Sequence, residues 1–465
     1  AGIERLYKPQ REGAQADPVA DLQDRRMGQA RAGQLAMGAQ PMEKNGRILD
    51  KRIGWALVIL RGLFAMTYVA SVSAGYLALF LLFPTALAGA VVSRVKFRFS
   101  DYPFVWPFLA YAGWGLVASL CGNGVATSLY HWRSDFIFIT CWLLCLTFRL
   151  KPESRRWAIL AYSAGMAFLA VSGIVQFVLI HWYPQANQWM VNSSIGVIHR
   201  FALLQDHGLR VHGPVNTMTY AEVMGLAGLV MIGLWPGRFW IGAALSAICL
   251  SALLASASRG AALGMAVGML VLAATMVRRR WQSIWRAVLP LGAACGILLI
   301  SPSVWGRLKT TFNPEQNMDR LVMWRVGLNL LRDHPLTGIG ISQTRAAWPV
   351  YFHKEWKQYF PYQDIWSDVH NLYLQQAAER GLPGLVILLI VAGSMTWWCA
   401  RTWRRRPPGP WKEFHAGIFA AIVGFWVMNI TESAFQDVEV VMTVYFLLAL
   451  AWTAEDTVED TQAVK

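Results

Sequence analysis

Long apolar segments separated by short polar ones occupy most of the chain after the first 50 residues. A helix of about 20 apolar residues spans the hydrocarbon core of a bilayer, and a single soluble core cannot bury so many such segments. The pattern therefore predicts an all-α polytopic membrane protein with about 12 transmembrane helices. The predicted spans lie near 53–72, 75–92, 103–120, 134–148, 157–181, 215–235, 239–256, 260–277, 286–301, 382–400, 414–431 and 438–453.

The polar segments divide the chain into five predicted regions. Residues 1–50 have no apolar period, and we expect them to form a mobile cytoplasmic tail. The other regions are a block at 51–301 with the first nine spans and an outer loop at 182–214, a larger helical outer loop at 302–381, the last three spans at 382–454, and a cytoplasmic tail at 455–465.

The composition and the charge distribution agree with this topology. Hydrophobic residues make up 55% of the chain and charged residues only 15%, whereas about one quarter of an average soluble domain is charged. The net charge of +15 arises from basic clusters between spans, which is typical of cytoplasmic loops, so nucleic acid is not a predicted partner. With the N-terminus inside, the cytoplasmic loops carry Arg94, Lys96, Arg98, Arg149, Lys151, Arg155, Arg156, Arg238, Arg278, Arg279, Arg280, Arg286, Arg401, Arg404, Arg405, Arg406 and Lys412. The outer loop before the last span has Glu432, Asp437 and Glu439 but no Lys or Arg.

The larger outer loop shows a helical pattern of its own. From Asp319 to Arg332, apolar residues recur at helical spacing, and His334-Pro335 is a typical helix end. We therefore predict a small helical cap over the outer face of the membrane block.

Two arginines lie on the outer side, against the usual topological bias. Arg259 follows Ser258 in a short turn between two spans, and Arg210 comes just before another span. A cation near lipid is energetically unfavourable unless it pairs with an anion or has a function. One such function is phosphate binding, because a guanidinium binds phosphate oxygens through two parallel hydrogen bonds. The arginines are candidates for phosphate binding; the alternative is that they extend to lipid headgroups or pair with an acid.

His370 is a candidate general base because an imidazole titrates near neutral pH. Asp368 or Asp364 is positioned in the sequence to orient it. The alternative is an interfacial histidine that bonds to the backbone. The six cysteines lie mostly in apolar segments without metal-ligand spacing, and the outer side has no Asp-x-Asp motif, so no metal site is predicted.

These residues occur in an order that resembles the O-antigen ligase/polymerase superfamily. The family's Arg-x-x-x-Leu motif is matched by Arg259 to Leu263. A long outer loop follows, with the similar pattern Arg320…Trp324…His334-Pro335-Leu336…Gly338-Ile339-Gly340. The His-Asn-x9-Gly-x-x-Gly motif is matched by His370, Asn371, Gly381 and Gly384, although the next position, often Thr or Val in ligases, is Leu385.

The resemblance implies a GT-C-like, metal-independent, inverting glycosyltransferase without a cofactor in the bacterial inner membrane. Its donor is O-antigen on undecaprenyl pyrophosphate, its acceptor is lipid A-core, and both meet in contact with membrane lipids on the periplasmic face, with both termini in the cytoplasm. The implied catalytic residues are His370, Arg259 and Arg210. The implied substrate-binding residues are Arg210, Arg259, Arg200, Arg320, Arg325 and Asn371.

Three other functions remain open at this stage. An O-antigen polymerase uses the same donor with a second lipid-linked chain as acceptor, and a protein O-oligosaccharyltransferase modifies Ser or Thr of proteins. A transporter belongs to a different class, and its sites lie near the bilayer midplane. Arg61 is the one deep charge that favours a transport pathway.

Overall fold

A computed structural model describes residues 51–95, 102–183, 211–235, 238–277, 285–310, 313–360 and 366–462, with a few isolated positions between 185 and 192. The predicted tail at 1–50 lies outside the described residues. Within the described ranges the secondary structure is entirely helical, which confirms the predicted all-α class.

The described ranges contain the following helices, given in chain order. They are α1 (Lys51–Thr67), α2 (Val72–Val92), α3 (Val105–Cys121), α4 (Val125–Trp132), α5 (Ile139–Leu150), α6 (Arg155–Trp182), α7 (Thr217–Leu234), α8 (Phe239–Ala255), α9 (Arg259–Val277), α10 (Trp285–Ile300), α11 (Pro302–Lys309), α12 (Met318–Asp333), α13 (Thr344–Tyr351), α14 (Leu372–Arg405), α15 (Pro410–Met428) and α16 (Val438–Gln462). Short 3₁₀ turns occur at Arg133–Phe138, Pro152–Ser154, Glu315–Asn317 and Lys354–Tyr359.

Each of the predicted spans overlaps one of these helices, as expected for a polytopic membrane protein, although the span at 134–148 begins in the 3₁₀ turn Arg133–Phe138. Helices α2, α7, α9 and α14, together with the segment Pro152–Leu179, are long and apolar enough to cross a membrane. Helices α3 and α8 and the part of α16 up to Thr453 are apolar but shorter. The largest departure is α14, which begins ten residues before the predicted span because the helix continues through a kink at Gly381.

The burial pattern separates a central helix from lipid-facing ones. Helix α7 is buried along its length from Thr219 to Leu234, and it packs against α8, α9 and α15. Helix α2 instead exposes large apolar side chains, such as Phe80 at 75% and Val91 at 70%. An apolar surface of this kind is stable in hydrocarbon and unfavourable in water.

Contacts between distant segments define the two ends of the bundle. At one end, Thr219 at the start of α7 donates to Asp437, and Gly260 at the start of α9 lies against Thr431. At the other end, Arg155 donates to the carbonyl of Thr453. Arg155 belongs to the basic loops, so this second end is the one that the charge pattern assigns to the inside.

The larger outer loop forms a second, smaller hydrophobic cluster. Helix α12 confirms the predicted helix within one residue at each end. Its buried side chains pack with Trp348 of α13, Val369 and Ala378. The predicted division of the chain into regions stays a prediction, but this cluster shows how the loop is held against α14.

Candidate active site

The backbone around His370 is held in an unusual conformation at the start of α14. His370 has φ +49°, in the left-handed region that disfavours residues with a side chain. Asp368 accepts a hydrogen bond from the His370 N–H, and the Trp324 indole donates to the His370 carbonyl at 3.4 Å. Strain of this kind persists only where surrounding contacts fix it, and it often marks functional positions.

The next residue anchors the helix to the loop between α15 and α16. The Asn371 side chain accepts a hydrogen bond from Leu374 N at 3.0 Å and so caps α14. The N–H of Leu372 is shared between the carbonyls of Asn429 and Glu432, at 3.0 and 3.1 Å. These contacts bring His370 to the loop that carries Glu432.

Glu432 joins the imidazole to a guanidinium. Its Oε2 lies 3.3 Å from Nδ1 of His370, and its Oε1 accepts from Nη2 of Arg320 at 2.7 Å. Arg320 also donates to the carbonyl of Thr431. The Glu432 side chain is 4% exposed, whereas those of His370 and Arg320 are each 17% exposed. A nearly buried carboxylate thus positions two basic groups that are both partly accessible.

The electrostatics follow from this arrangement. Burial alone lowers the pKa of His370, but the hydrogen bond with Glu432 and the charges of Asp368 and Glu432 outweigh it, so the pKa lies above 6.5. Burial raises the pKa of Glu432, but the charge of Arg320 and the bond with His370 bring it below its ordinary value. Glu432 is therefore ionised at neutral pH and stabilises the protonated imidazole.

The turn at Arg259 lies against the same loop. A Cβ on Gly260 would overlap the Thr431 hydroxyl and lie 3.1 Å from Cγ of Glu432, so only glycine allows this approach. Arg259, the first residue of α9, lines a polar cavity of about 540 Å³. The cavity is also lined by Gly306, Thr310, Glu315, Gln316, Met318, Asp319 and Tyr359. The structure therefore gathers the Arg259 turn, Arg320 and His370 around Glu432.

The other predicted site residues have different surroundings. Arg200 and Arg210 lie outside the described residues, although His212 and Gly213, just after Arg210, both donate backbone N–H groups to Gln176 of α6. Arg325 is exposed on α12. The side-chain oxygen of Asn371 accepts the capping hydrogen bond of α14, so the contact seen for this residue is with the protein backbone.

The residue that contacts the His370 ring differs from the two acids predicted to orient it. Asp364 lies outside the described residues, and Asp368 uses Oδ1 to accept from the backbone of His370 and from Ser433 at 3.0 Å. Glu432 makes the ring contact instead. The sequence analysis missed Glu432 because membrane topology by itself explains acidic residues in an outer loop. The available signal was an ionisable residue close to the ends of apolar spans, where such residues are often functional.

The Gly-x-x-Gly motif fixes the loop to α14 by an exchange of backbone hydrogen bonds. Gly381 has φ +70°, which breaks the helix, and Leu382 N donates to Pro335 O at 2.8 Å. The carbonyl of Ala378 accepts instead from Ile339 N at 3.0 Å. Pro383 has no N–H, so the Glu379 carbonyl is available to Gly340 N, at 3.1 Å.

Buried polar side chains support this joint from both sides. Glu379 accepts from Thr344 at 2.9 Å and from Gln375 at 2.7 Å. Gln375 in turn accepts from Val369 N at 2.9 Å, next to His370. Arg380 forms two hydrogen bonds with Asp135, at 2.7 and 2.6 Å. The position of His370 therefore depends on this network of hydrogen bonds as well as on Glu432.

Comparison with known proteins identifies a family for part of the chain. Residues 244–389 match the family model described as O-antigen ligase, which confirms the resemblance to the O-antigen ligase/polymerase superfamily. The matched segment runs from α8 into α14 and includes Arg259, Arg320 and His370, whereas Glu432 lies beyond it. No curated protein matches the chain.

Proposed function

We propose that this chain, which carries the O-antigen ligase region, is a metal-independent glycosyltransferase that completes lipopolysaccharide. It transfers O-antigen from undecaprenyl pyrophosphate to a hydroxyl of lipid A-core. The observation that carries the proposal is the single carboxylate of Glu432, which binds His370 and Arg320 beside the Arg259 turn. A base and arginines are the groups that transfer from a pyrophosphate requires.

His370 is the proposed general base. Its Nδ1 faces Glu432, so Nε2 is the nitrogen that can accept a proton from the acceptor hydroxyl. The acceptor oxygen then attacks the anomeric carbon while the bond from that carbon to the pyrophosphate oxygen breaks. One such displacement inverts the anomeric centre, and Glu432 stabilises the imidazolium that forms.

The arginines are proposed to bind the leaving pyrophosphate. Arg259 lines the polar cavity, and Arg320 directly follows Asp319, another residue of the cavity wall, in the sequence. Arg210 is the third candidate by sequence. Charge that develops on the pyrophosphate during bond cleavage is stabilised by guanidinium groups already in place, the role that a divalent ion has in other enzymes. The hydroxyl, amide and carboxylate groups of the cavity wall suit the hydroxyls of a sugar.

The proposed orientation puts the site at the periplasmic face of the inner membrane. The end of the bundle with Arg155 and Thr453 is rich in basic residues, whereas the loop with Glu432 and Asp437 is acidic. Positive loops remain in the cytoplasm, so the Glu432 loop faces outward. Lipid-linked O-antigen in the outer leaflet then meets lipid A-core at the cavity.

A transfer assay with purified components tests the proposal. The full chain is incubated with O-antigen on undecaprenyl pyrophosphate and with lipid A-core, with and without EDTA. We expect O-antigen on the core in both conditions and release of undecaprenyl pyrophosphate. Growth of the lipid-linked glycan without transfer to core would identify a polymerase, and transfer to Ser or Thr of a protein would identify an oligosaccharyltransferase. EDTA inhibition that Mg²⁺ or Mn²⁺ reverses would exclude the metal-independent mechanism.

A further inference from the structure

The polar cavity beside the Arg259 turn has an acidic side that pyrophosphate binding does not use. Its volume is about 540 Å³, within the range of about 300–1,000 Å³ that is usual for small-molecule sites. Among the described residues that line it, Arg259 carries a positive charge, and Glu315 and Asp319 carry negative charges. Carboxylates repel an anion held by Arg259, so the part of the ligand beside the two acids is a different group.

The two acids differ in how far the fold explains their positions. Asp319 is partly exposed in the first turn of α12, where its charge also acts on Arg320. An acid in the first turn of a helix stabilises that helix, so Asp319 has a structural role there. Glu315 lies before α12 in the 3₁₀ turn Glu315–Asn317, and its exposed side chain forms no hydrogen bond or ion pair with a described residue. Glu315 is therefore the more informative of the two acids.

The rest of the cavity wall suits a sugar ring. Tyr359 ends the 3₁₀ turn Lys354–Tyr359 and packs against the hydrophobic cluster around Trp348, so its ring is held at the cavity. Gln316 adds an amide to the same wall. An aromatic ring packs on the apolar C–H face of a sugar, while carboxylate and amide groups form hydrogen bonds with its hydroxyls.

Gly306 leaves space at the cavity wall. It belongs to α11 and lines the cavity, and a Cβ added there would have no atom within 4 Å. A larger side chain at this position therefore reduces the space for a ligand without overpacking the protein.

We infer that Glu315 and Asp319 select a donor whose first sugar, the one joined to the pyrophosphate, is uncharged. This inference rests on the proposed function, in which Arg259 binds the pyrophosphate of the donor. The first sugar then lies in the same cavity, where its hydroxyls donate to the two carboxylates. A uronic acid in that place puts a further negative charge beside Glu315 and Asp319, which opposes binding. Both acids are in contact with solvent, which weakens the repulsion, so the expected preference is about tenfold.

Binding of two matched donors to the purified full chain tests the inference without a need for turnover. The donors are undecaprenyl pyrophosphate with glucose and with glucuronic acid as the only sugar, which differ at one carbon. Their Kd values are measured in detergent at low and at high NaCl concentration. We expect the wild type to bind the glucose donor about tenfold more tightly at low salt, and salt should reduce this preference because it screens exposed charges.

Substitution of Glu315 gives a graded series. Glu315→Gln should reduce the preference for the glucose donor, and Glu315→Lys should reduce it further or reverse it, because an ammonium group attracts the carboxylate of glucuronic acid. Both variants change an exposed side chain, so we expect them to fold. Glu355→Gln is the matched control, since Glu355 is an exposed acid of the same outer loop that is not among the residues lining the cavity. It should keep the wild-type preference.

A steric variant tests whether the cavity is where the sugar binds. Gly306→Leu should weaken the binding of both donors, whereas Gly393→Leu, at an exposed position of α14 that also has no atom within 4 Å of an added Cβ, should not. Equal affinities of the two donors in the wild type, an unchanged preference in Glu315→Lys, or full affinity in Gly306→Leu would each overturn the inference. The glucose donor is also tested for transfer to lipid A-core. Tight binding without transfer would contradict the proposed function, while the preference between donors is still measured by binding.

Discussion

Glu432 and His370 are 62 residues apart in the sequence, yet Oε2 of the carboxylate lies 3.3 Å from Nδ1 of the imidazole. The contact leaves Nε2 of His370 as the nitrogen for the proposed substrate, and it raises the pKa of His370. Because the same carboxylate binds Arg320 at 2.7 Å, its removal affects the proposed base and a pyrophosphate-binding candidate together. Glu432 is therefore the residue whose substitution is most informative.

Glu432→Gln should lower the rate of transfer and move the acid side of the pH profile to lower pH. A general base is active when it is neutral, so the rate rises as the pH passes the pKa of His370. Glu432 and Asp368 raise this pKa and Arg320 lowers it, so loss of the Glu432 charge brings the pKa down. We expect a rate about 100-fold lower at the optimum.

The measurement is the initial rate of transfer from pH 5 to pH 9 under saturating substrate. Asp319→Asn is the matched control, since Asp319 lines the cavity and has no hydrogen bond to His370 among the described contacts. Its acid limb should stay within a few tenths of a pH unit of the wild type. A Glu432→Gln profile displaced to higher pH would contradict the assignment of His370 as the base.

His370→Ala and Arg259→Ala should each abolish attachment of O-antigen to core while protein levels stay normal. The first removes the base, whose contribution is about 10²- to 10⁴-fold, and the second removes a guanidinium from the cavity wall. Arg325→Ala tests the predicted role of an exposed arginine on the same outer loop as Arg320. The readout is lipopolysaccharide on gels with immunoblots for the protein. Near wild-type ligation by either of the first two variants would remove its assigned role.

Gly381→Ala should destabilise the protein and reduce transfer. Gly381 has φ +70°, and a Cβ there would overlap the carbonyl of Leu336. We expect a loss of about 1–3 kcal/mol from the backbone strain, with the carbonyl overlap adding to it. Gly393 on the same helix has no atom within 4 Å of an added Cβ, so Gly393→Ala is the matched control and should not destabilise. Equal melting temperatures for the two variants would show that the kink at Gly381 is not required.

The apolar segments alone predicted the helices well, because a membrane span is set by local composition. Helix α12 was also predictable, from the spacing of its apolar residues. The motif pattern identified Arg259, Arg320 and His370, and the structure brings their segments together. The helical turns before Gly381 were harder to predict, since Gly and Pro usually end a helix. Here the loop segment at Ile339 and Gly340 donates the hydrogen bonds that the helix lacks at the kink.

Contacts between residues far apart in the chain could not be predicted in the same way. Glu432 is 112 residues from Arg320, and the sequence around it is explained equally well by membrane topology. The Arg380–Asp135 pair spans 245 residues. A single sequence shows where the charged residues are but not which of them form pairs. The pairing depends on how the helices pack.

The Arg380–Asp135 pair leads to a prediction about the rigidity of the site. Arg380 is 3% exposed and Asp135 7% exposed in the pair, and Arg380 also lies over the Tyr111 ring at 4.3 Å. Removal of one partner leaves a buried charge without its counter-ion, so Asp135→Ala should cost about 3–5 kcal/mol. Arg380→Met combined with Asp135→Leu removes both charges and keeps most of the volume, so the double variant should be more stable than Asp135→Ala. Because Arg380 adjoins the kink that positions His370, we expect the double variant to fold but to transfer glycan more slowly. Chemical denaturation in detergent micelles, together with the transfer assay, checks both parts. A double variant that is less stable than Asp135→Ala would mean that the unpaired charge of Arg380 is not the main cost of losing Asp135.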